Sequence, residues 1–241
     1  MYYFEKGFNF SQDGPGNRVV WHLAGCNMRC PWCSNPEGMS RNSPKTKEIT
    51  ARQAAEDIIS CKPMFFSGGG VTFTGGECTC QGKELAKLIK ILKKNGVHTA
   101  IESNADTEIF PEIATLADFV MTDYKSPNAE KLKEVTGGRL DLIEKNLREA
   151  VKLKFLHIRI PLIHGFNDSD EDLSGFIGFF NSLSEISHDF DVEILPYHEY
   201  GKDKWAKLGL EYTVTDGYVS ADTVRNFTNI MINSGIKIVK S

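Results

Sequence analysis

The sequence predicts an α/β fold with a mostly parallel sheet, on three observations. Apolar runs of strand length alternate about six times with amphipathic stretches of helix length. Such strand–helix repetition implies right-handed crossovers, and therefore parallel strands. No linker, low-complexity tract or shift in composition divides the 241 residues, so one domain over 1–241 accommodates them. Periodicity alone leaves a doubly wound sheet and an incomplete (β/α)6 barrel open.

The elements follow in order. A first strand is "RVVWHL" at 18–23, and the Asn-, Pro- and Ser-rich connection 34–49 is a long loop that suggests a cover over a site. "TARQAAEDIIS" (50–60) reads as a helix and "GVTFTG" (70–75) as the second strand. The helix 82–96 carries apolar residues at 85, 88, 89 and 92, one stripe of a 3.6-residue period, and closes at Gly96. Strands at 97–103 and 118–124 flank a helix at 107–117; a helix at 139–153 then leads to the strand 155–163. The acidic cluster "NDSDED" opens the helix 169–185, where it suits the helix dipole. A strand at 190–197 and a helix at 220–235 complete the set. In such folds polar residues at the carboxyl ends of strands line the site. That rule marks Gly75, Gly76 and Glu77, then 102–104, 123–125, Arg159 with His164, and His198.

Charge and flanks exclude several classes. With 28 basic and 32 acidic residues mixed along the chain, net −4, there is no footprint for nucleic acid or an anionic membrane. The N-terminus has no basic region followed by an apolar run, and no eighteen apolar residues are consecutive, so a cytoplasmic protein without a membrane anchor is expected.

The chemistry concentrates in "AGCNMRCPWCSNPE", which gathers Cys26, Cys30 and Cys33. A chain this long does not need disulfide staples, and such a cluster in a cytosolic protein points to a metal or to catalysis. Structural zinc asks for four ligands, and the other half would have to come from Cys61, Cys78, Cys80 or His22. Three thiolates on a cubane iron–sulfur cluster leave one iron without a protein ligand, the open position a catalytic metal needs.

C-x3-C-x2-C after the first strand resembles the signature of the radical S-adenosylmethionine (SAM) enzymes, and "GGGVTFTGGE" looks like the GGE motif of the same superfamily. "DGPGNRVV", "DYKSPNAEKLKEVTGG", "IRIPLIHGFNDSDED" and "ILPYHEYGKDKWAKLGLEY" extend the likeness over nearly the entire chain. Together they resemble the glycyl-radical-enzyme activating enzymes, most of all those acting on pyruvate formate-lyase. The resemblance implies an incomplete (β/α)6 radical SAM barrel with a cluster loop at 24–44. Between Cys33 and Cys78 there is one cysteine, Cys61, so the ferredoxin-like insert of some relatives is not expected.

It also implies a reaction. An electron from reduced flavodoxin or ferredoxin enters a [4Fe–4S] cluster, SAM is cleaved reductively, and a hydrogen is removed from a glycine of a partner glycyl radical enzyme, with the activating enzyme a monomer working anaerobically. Carried over by position, Cys26, Cys30 and Cys33 are the cluster ligands, with Trp32 and Ser34 beside cluster and adenine. Gly75, Gly76 and Glu77 contact the methionyl group; Asp123, Tyr124, Lys125 and His198 line the SAM site; Arg159 lies near the SAM carboxylate or ribose. Glu102, Ser103, Met121 and Asp123 match a monovalent cation site, and Asp13 borders the substrate peptide.

Three positions depart from the pattern. Glu102-Ser103 replaces an Asp-Thr pair, Ser34 replaces a His, and Cys78 and Cys80 stand where small or apolar residues are usual, so they are expected to act as buried small hydrophobes. His98 and His157 are expected to be satisfied residues of strands, 83–94 a solvated helix face, and "FIGFFNSL" a core-facing stripe. The competing functions are a radical SAM enzyme for another peptide or small molecule and, in a different class, a non-catalytic zinc or redox-sensing module.

Overall fold

The computed structural model describes residues 1–10 and 12–239. The fold is α/β, built on a mostly parallel sheet of nine strands that does not close. By its contacts the chain forms two compact units: the first comprises Met1–Asn27, Asn35–Ser103 and Thr107–Met121, the second Met28–Ser34, Asn104–Asp106 and Thr122–Ser241.

In the first unit β1 (Tyr2–Phe10) pairs antiparallel with β2 (Asn17–Leu23) and with the short β3 (Lys47–Glu48). β2 runs parallel to β4 (Gly70–Gly75), and β4 to β5 (His98–Ser103). β6 (Phe119–Asp123) begins in this unit. β2 and β4 are buried almost throughout, which is why "RVVWHL" and "GVTFTG" read as near-continuous apolar runs. Helices α1 (Ala51–Ser60) and α2 (Gly82–Lys94) pack together, with α3 (Phe110–Leu116) beside α2. Thr50 starts α1 with a reciprocal capping box to Gln53, which satisfies two otherwise orphaned N–H groups. On α2 the predicted stripe Leu85, Leu88, Ile89 and Leu92 is fully buried, its lysines face solvent, and Gly96 takes φ +65° just past the end. The sequence pattern does not mark β1: eight of its nine residues are at least partly exposed, Phe4 being the buried one, so no clean alternation shows.

The second unit pairs β7 (Leu156–Leu162), β8 (Phe190–Pro196) and β9 (Ile238–Val239) in parallel. Its helices are α4 (Ala129–Thr136), α5 (Leu140–Ala150), α6 (Asp170–Ser184), α7 (Lys202–Lys207) and α8 (Ala221–Asn233). Ser169 caps α6 in a box with Asp172, as the acidic run predicts. The "FIGFFNSL" stripe is indeed core: Phe176, Phe179, Phe180 and Leu183 are buried. α4, α7, β3 and β9 were not among the predicted elements; each is short, eight residues or fewer. Among the described residues no helix is long and apolar enough to cross a membrane.

Candidate active site

In the first unit, the carboxyl ends of β2 and β4 meet in a glycine-dependent crossing. Gly76 N–H donates to Leu23 O at 2.8 Å, Glu77 N–H to Gly25 O at 2.9 Å, and Gly25 N–H to Gly38 O at 2.7 Å. A Cβ on Gly76 would stand 2.4 Å from Gly38 O and 2.5 Å from Gly25 O; one on Gly75, at φ +110°, would stand 2.5 Å from Leu23 N. Only glycine lets these backbones approach so closely, and the approach brings the loop start, with Cys26 N–H on Met39 O at 3.2 Å, against the GGE turn.

Glu77 has a local task here. Its Oε1 accepts from Thr79 N–H at 2.8 Å, Thr79 Oγ1 at 2.5 Å and Ser103 Oγ at 2.8 Å, capping the short 3-10 turn Cys78–Gln81. Ser103 is thereby tied to the GGE turn, while Glu102 Oε2 accepts from Thr74 Oγ1 at 2.7 Å. Met121 is buried in β6. Cys78 is fully buried with its thiol on Glu102 O, and burial pushes its pKa up, helped by the charges of Glu77 and Glu102: it is a small apolar residue, as expected.

Asp13 lies at the other end of the strands. Its carbonyl accepts from Thr72 Oγ1 at 2.6 Å, and Thr72 Oγ1 in turn accepts from the Nε of the fully buried Arg18 at 2.8 Å. Arg18 also donates to Pro15 O and Val71 O, so the "DGPG" loop is held at the amino-terminal ends of β2 and β4, away from Gly75–Glu77. Desolvation lowers the Arg18 pKa to about 10 against the opposing charge of Asp13. His98 is satisfied by this same guanidinium at 3.2 Å.

In the second unit Cys30 and Cys33 close a turn, Cys33 N–H donating to Cys30 O at 3.1 Å. Several elements clamp it. Trp205 Nε1–H donates to Cys33 O at 2.9 Å, and a Cβ on Gly201 would meet that same oxygen at 2.3 Å. Trp32 packs on Phe166 with ring centroids 4.7 Å apart, in a cluster with Ile163 and Tyr197, and Arg29 N–H donates to Thr136 O at 2.8 Å. Trp205 and Gly201 thus bring "YGKDKW" against the Cys30–Cys33 turn, Trp205 reaching Cys33 across 172 positions, next to the partly buried Ser34. Cys30 is buried, and desolvation pushes its thiol up to about 12 although the Lys125 ammonium pulls the other way. The three motif cysteines offer soft sulfur donors, a set whose chemistry fits iron–sulfur ligation.

Lys125 pairs with Asp123, and the buried Asn167 fixes this segment by donating to Lys125 O at 2.7 Å and Pro161 O at 2.8 Å while accepting from Ile163 N–H at 2.8 Å. Asn167 had been read only as part of a helix-start cluster. The Tyr124 side chain is buried among aromatic rings: it stacks on Phe179 at 4.3 Å with Phe176 and Phe180 around it, and its hydroxyl donates to Glu144 at 2.8 Å. Its backbone N–H donates to Arg159 O at 2.9 Å. His198 follows β8, half-buried and stacked on Tyr200 at 4.1 Å; burial lowers its pKa, so it is held neutral.

β7 and β8 add three residues that the strand-end rule did not mark, His157, Asp191 and Glu193, around one that it did, Arg159. His157 and Arg159 lie opposite Asp191 and Glu193 in register. His157 Nδ1 meets Asp191 at 2.7 Å and its Nε2 meets Glu193 Oε2 at 3.0 Å; Arg159 Nε donates to that same Oε2 at 3.0 Å. The signal was present as H-x-R and D-x-E inside apolar runs, but it becomes legible only when the two strands are known to pair.

Residues 22–177 match the model of the radical SAM superfamily. The pyruvate formate-lyase-activating enzyme of Staphylococcus epidermidis is 38% identical over 210 residues, covering 83% of this chain and 82% of that protein. The chain belongs to the radical SAM family of pyruvate formate-lyase-activating enzymes. The Staphylococcus aureus relative of the same name is 36% identical over 214 residues, covering 85% and 84%. Among solved structures, a domain of pyruvate-formate lyase-activating enzyme from Bacteroides vulgatus matches with a TM-score of 0.58 at 26% identity, over 72% of this chain and 99% of that one. Streptococcus suis SuiB bound to S-adenosylmethionine shares the fold, with a TM-score of 0.63 at 17% identity over 90% of this chain and 48% of that one. As a radical SAM protein the chain uses a [4Fe–4S] cluster and SAM, and the zinc-module reading falls away.

Proposed function

We propose that this radical SAM protein is an activase for a glycyl radical enzyme, of the kind represented by pyruvate formate-lyase. The observation that carries the reading is likeness to proteins named for that activity over more than four-fifths of their length and of this chain. The cluster loop would hold a [4Fe–4S] cluster through Cys26, Cys30 and Cys33. When bound, that cluster supplies the electron that cleaves SAM to methionine and a 5′-deoxyadenosyl radical, which takes a hydrogen from a glycine Cα of the partner.

The chain's own residues bind and orient. Gly75 and Gly76 offer backbone groups to the methionyl moiety without side-chain obstruction, and Glu77 shapes that turn through Thr79 and Ser103. Lys125, steadied by Asp123 and Asn167, supplies positive charge beside Cys30, and Arg159 supplies a guanidinium for the SAM carboxylate. Trp32, Ser34 and the neutral His198 would border the adenosine and exclude water. Glu102, Ser103, Met121 and Asp123 offer oxygens to a monovalent cation, Met121 through its carbonyl. Asp13, whose carbonyl is held by Thr72 at the amino-terminal ends of β2 and β4, is left out of this site. We further propose a cytoplasmic monomer, working without oxygen, with reduced flavodoxin or ferredoxin as donor.

The test is anaerobic reconstitution followed by incubation with SAM, a reductant and the glycyl radical enzyme. The expected results are 5′-deoxyadenosine, a glycyl radical signal on the partner, and loss of both in Cys30→Ala. Release of 5′-deoxyadenosine without a glycyl radical would favour a different peptide or small-molecule substrate.

A further inference from the structure

Strand faces buried in an α/β sheet ordinarily carry Val, Ile and Leu. The paired β7 and β8 break this rule on one face. His157, Arg159, Asp191 and Glu193 alternate with the apolar Ile158 and Val192, and the side chains of all four are at most 14% exposed. Buried ion pairs contribute little net stability over apolar residues of similar volume, because desolvation offsets their attraction. A cluster of four therefore points to a task other than holding the fold.

Its geometry is asymmetric. Glu193, whose side chain is 2% exposed, receives two donors on one oxygen, Arg159 Nε and His157 Nε2, each at 3.0 Å. His157 is held from its other nitrogen by Asp191, and Lys237 approaches Asp191 at 3.7 Å from β9's approach. Glu193 thus holds the Nε edge of the Arg159 guanidinium. The Arg159 carbonyl is bonded to Tyr124 N–H, which ties this strand to the Asp123–Lys125 segment whose lysine acts on Cys30. We propose that Glu193 is a positioning residue: by gripping Nε of Arg159 it orients that guanidinium to receive the carboxylate of SAM. This rests on the assignment of Arg159 to SAM made above. A planar fork recognises a carboxylate bidentately only at a set orientation, so freeing its plane costs binding more than it costs chemistry.

The experiment uses reconstituted, cluster-loaded protein under anaerobic conditions, with SAM itself as the probe. Equilibrium binding of SAM, the change it causes in the electron paramagnetic resonance spectrum of the reduced cluster, and thermal melting are measured for wild type, Glu193→Gln, Glu193→Asp, Asp191→Asn and Arg159→Lys. Glu193→Gln is expected to raise Kd for SAM about tenfold, as one lost charge-assisted contact would, and to raise KM with kcat within twofold. Glu193→Asp should restore part of the affinity, whereas Asp191→Asn, which changes the bond to His157 Nδ1 and keeps Glu193 on Arg159, should stay within twofold of wild type. Equal losses in Glu193→Gln and Asp191→Asn would reduce the cluster to a folding element and overturn the proposal, as would unchanged affinity in Glu193→Gln or in Arg159→Lys. Failure of the wild type to bind SAM would instead overturn the functional reading on which the proposal stands. If Glu193→Gln does not fold, Glu193→Asp decides: SAM affinity equal to that of wild type overturns the positioning role, and a weaker Kd with unchanged melting supports it.

Discussion

His157 lies between two carboxylates, and this makes the protein's stability depend on pH in a calculable way. Burial opposes its protonation, but the hydrogen bonds to Asp191 and Glu193 prevail and raise its pKa from 6.5 to about 9. A raised pKa in the folded state means that the folded chain binds the proton more tightly than the unfolded one. The stabilisation is therefore complete below pH 6.5 and is lost as pH climbs through about 9. A move of that size corresponds to at most about 3 kcal/mol. The ring keeps a 14% exposed side chain, so screening brings our expectation to about 2 kcal/mol. For a chain of this length that is roughly 4–8 °C in melting temperature. The perturbation is His157→Gln, which retains a donor and an acceptor but cannot take the charge. The assay is anaerobic thermal melting of cluster-loaded wild type and variant from pH 6 to pH 10. The part of the gap that varies with pH should be full near pH 6 and gone near pH 10. A gap constant across that range would show that these carboxylates do not make the imidazole hold its proton more tightly, and would refute the linkage.

Four further outcomes are expected. Gly76→Ala would drive a Cβ to 2.4 Å from Gly38 O, so 5′-deoxyadenosine release should fall by at least tenfold; activity near that of wild type would mean the crossing relaxes freely. Trp205→Phe removes the N–H on Cys33 O and should cost about 1 kcal/mol of stability, with faster loss of iron to a chelator. Tyr124→Phe should destabilise by about 1 kcal/mol through the lost bond to Glu144, with SAM affinity unchanged; a tenfold loss of affinity would place this side chain in the SAM site. Cys78→Ala should leave iron and sulfide content as in wild type, in contrast to Cys30→Ala, because its buried thiol is engaged with Glu102 O.

The order of strands and helices was legible because each buried face imposes its own period, seen most clearly at Leu85, Leu88, Ile89 and Leu92. The peripheral strand β1 was not, since it keeps most of its length exposed and so shows no period. The three cysteines, and the glycines of the GGE turn, could be found because their chemistry depends on residue type and local spacing. Both features are written along the chain.

What the sequence by itself determined is thus the cluster motif, the α/β class and the membership in a radical SAM family that follows from the order of its motifs. Tertiary structure alone decided which way each polar side chain serves. It sent Tyr124 to the Phe179 layer, gave the Glu77 Oε1 to Thr79 and Ser103, set Trp205 against Cys33, and assembled His157, Arg159, Asp191 and Glu193 into one charged face. The physical reason is that side-chain direction follows the phase of the pleat, and electrostatic partnership follows which strands lie side by side. Those are relations between segments distant in sequence, set only when the chain folds.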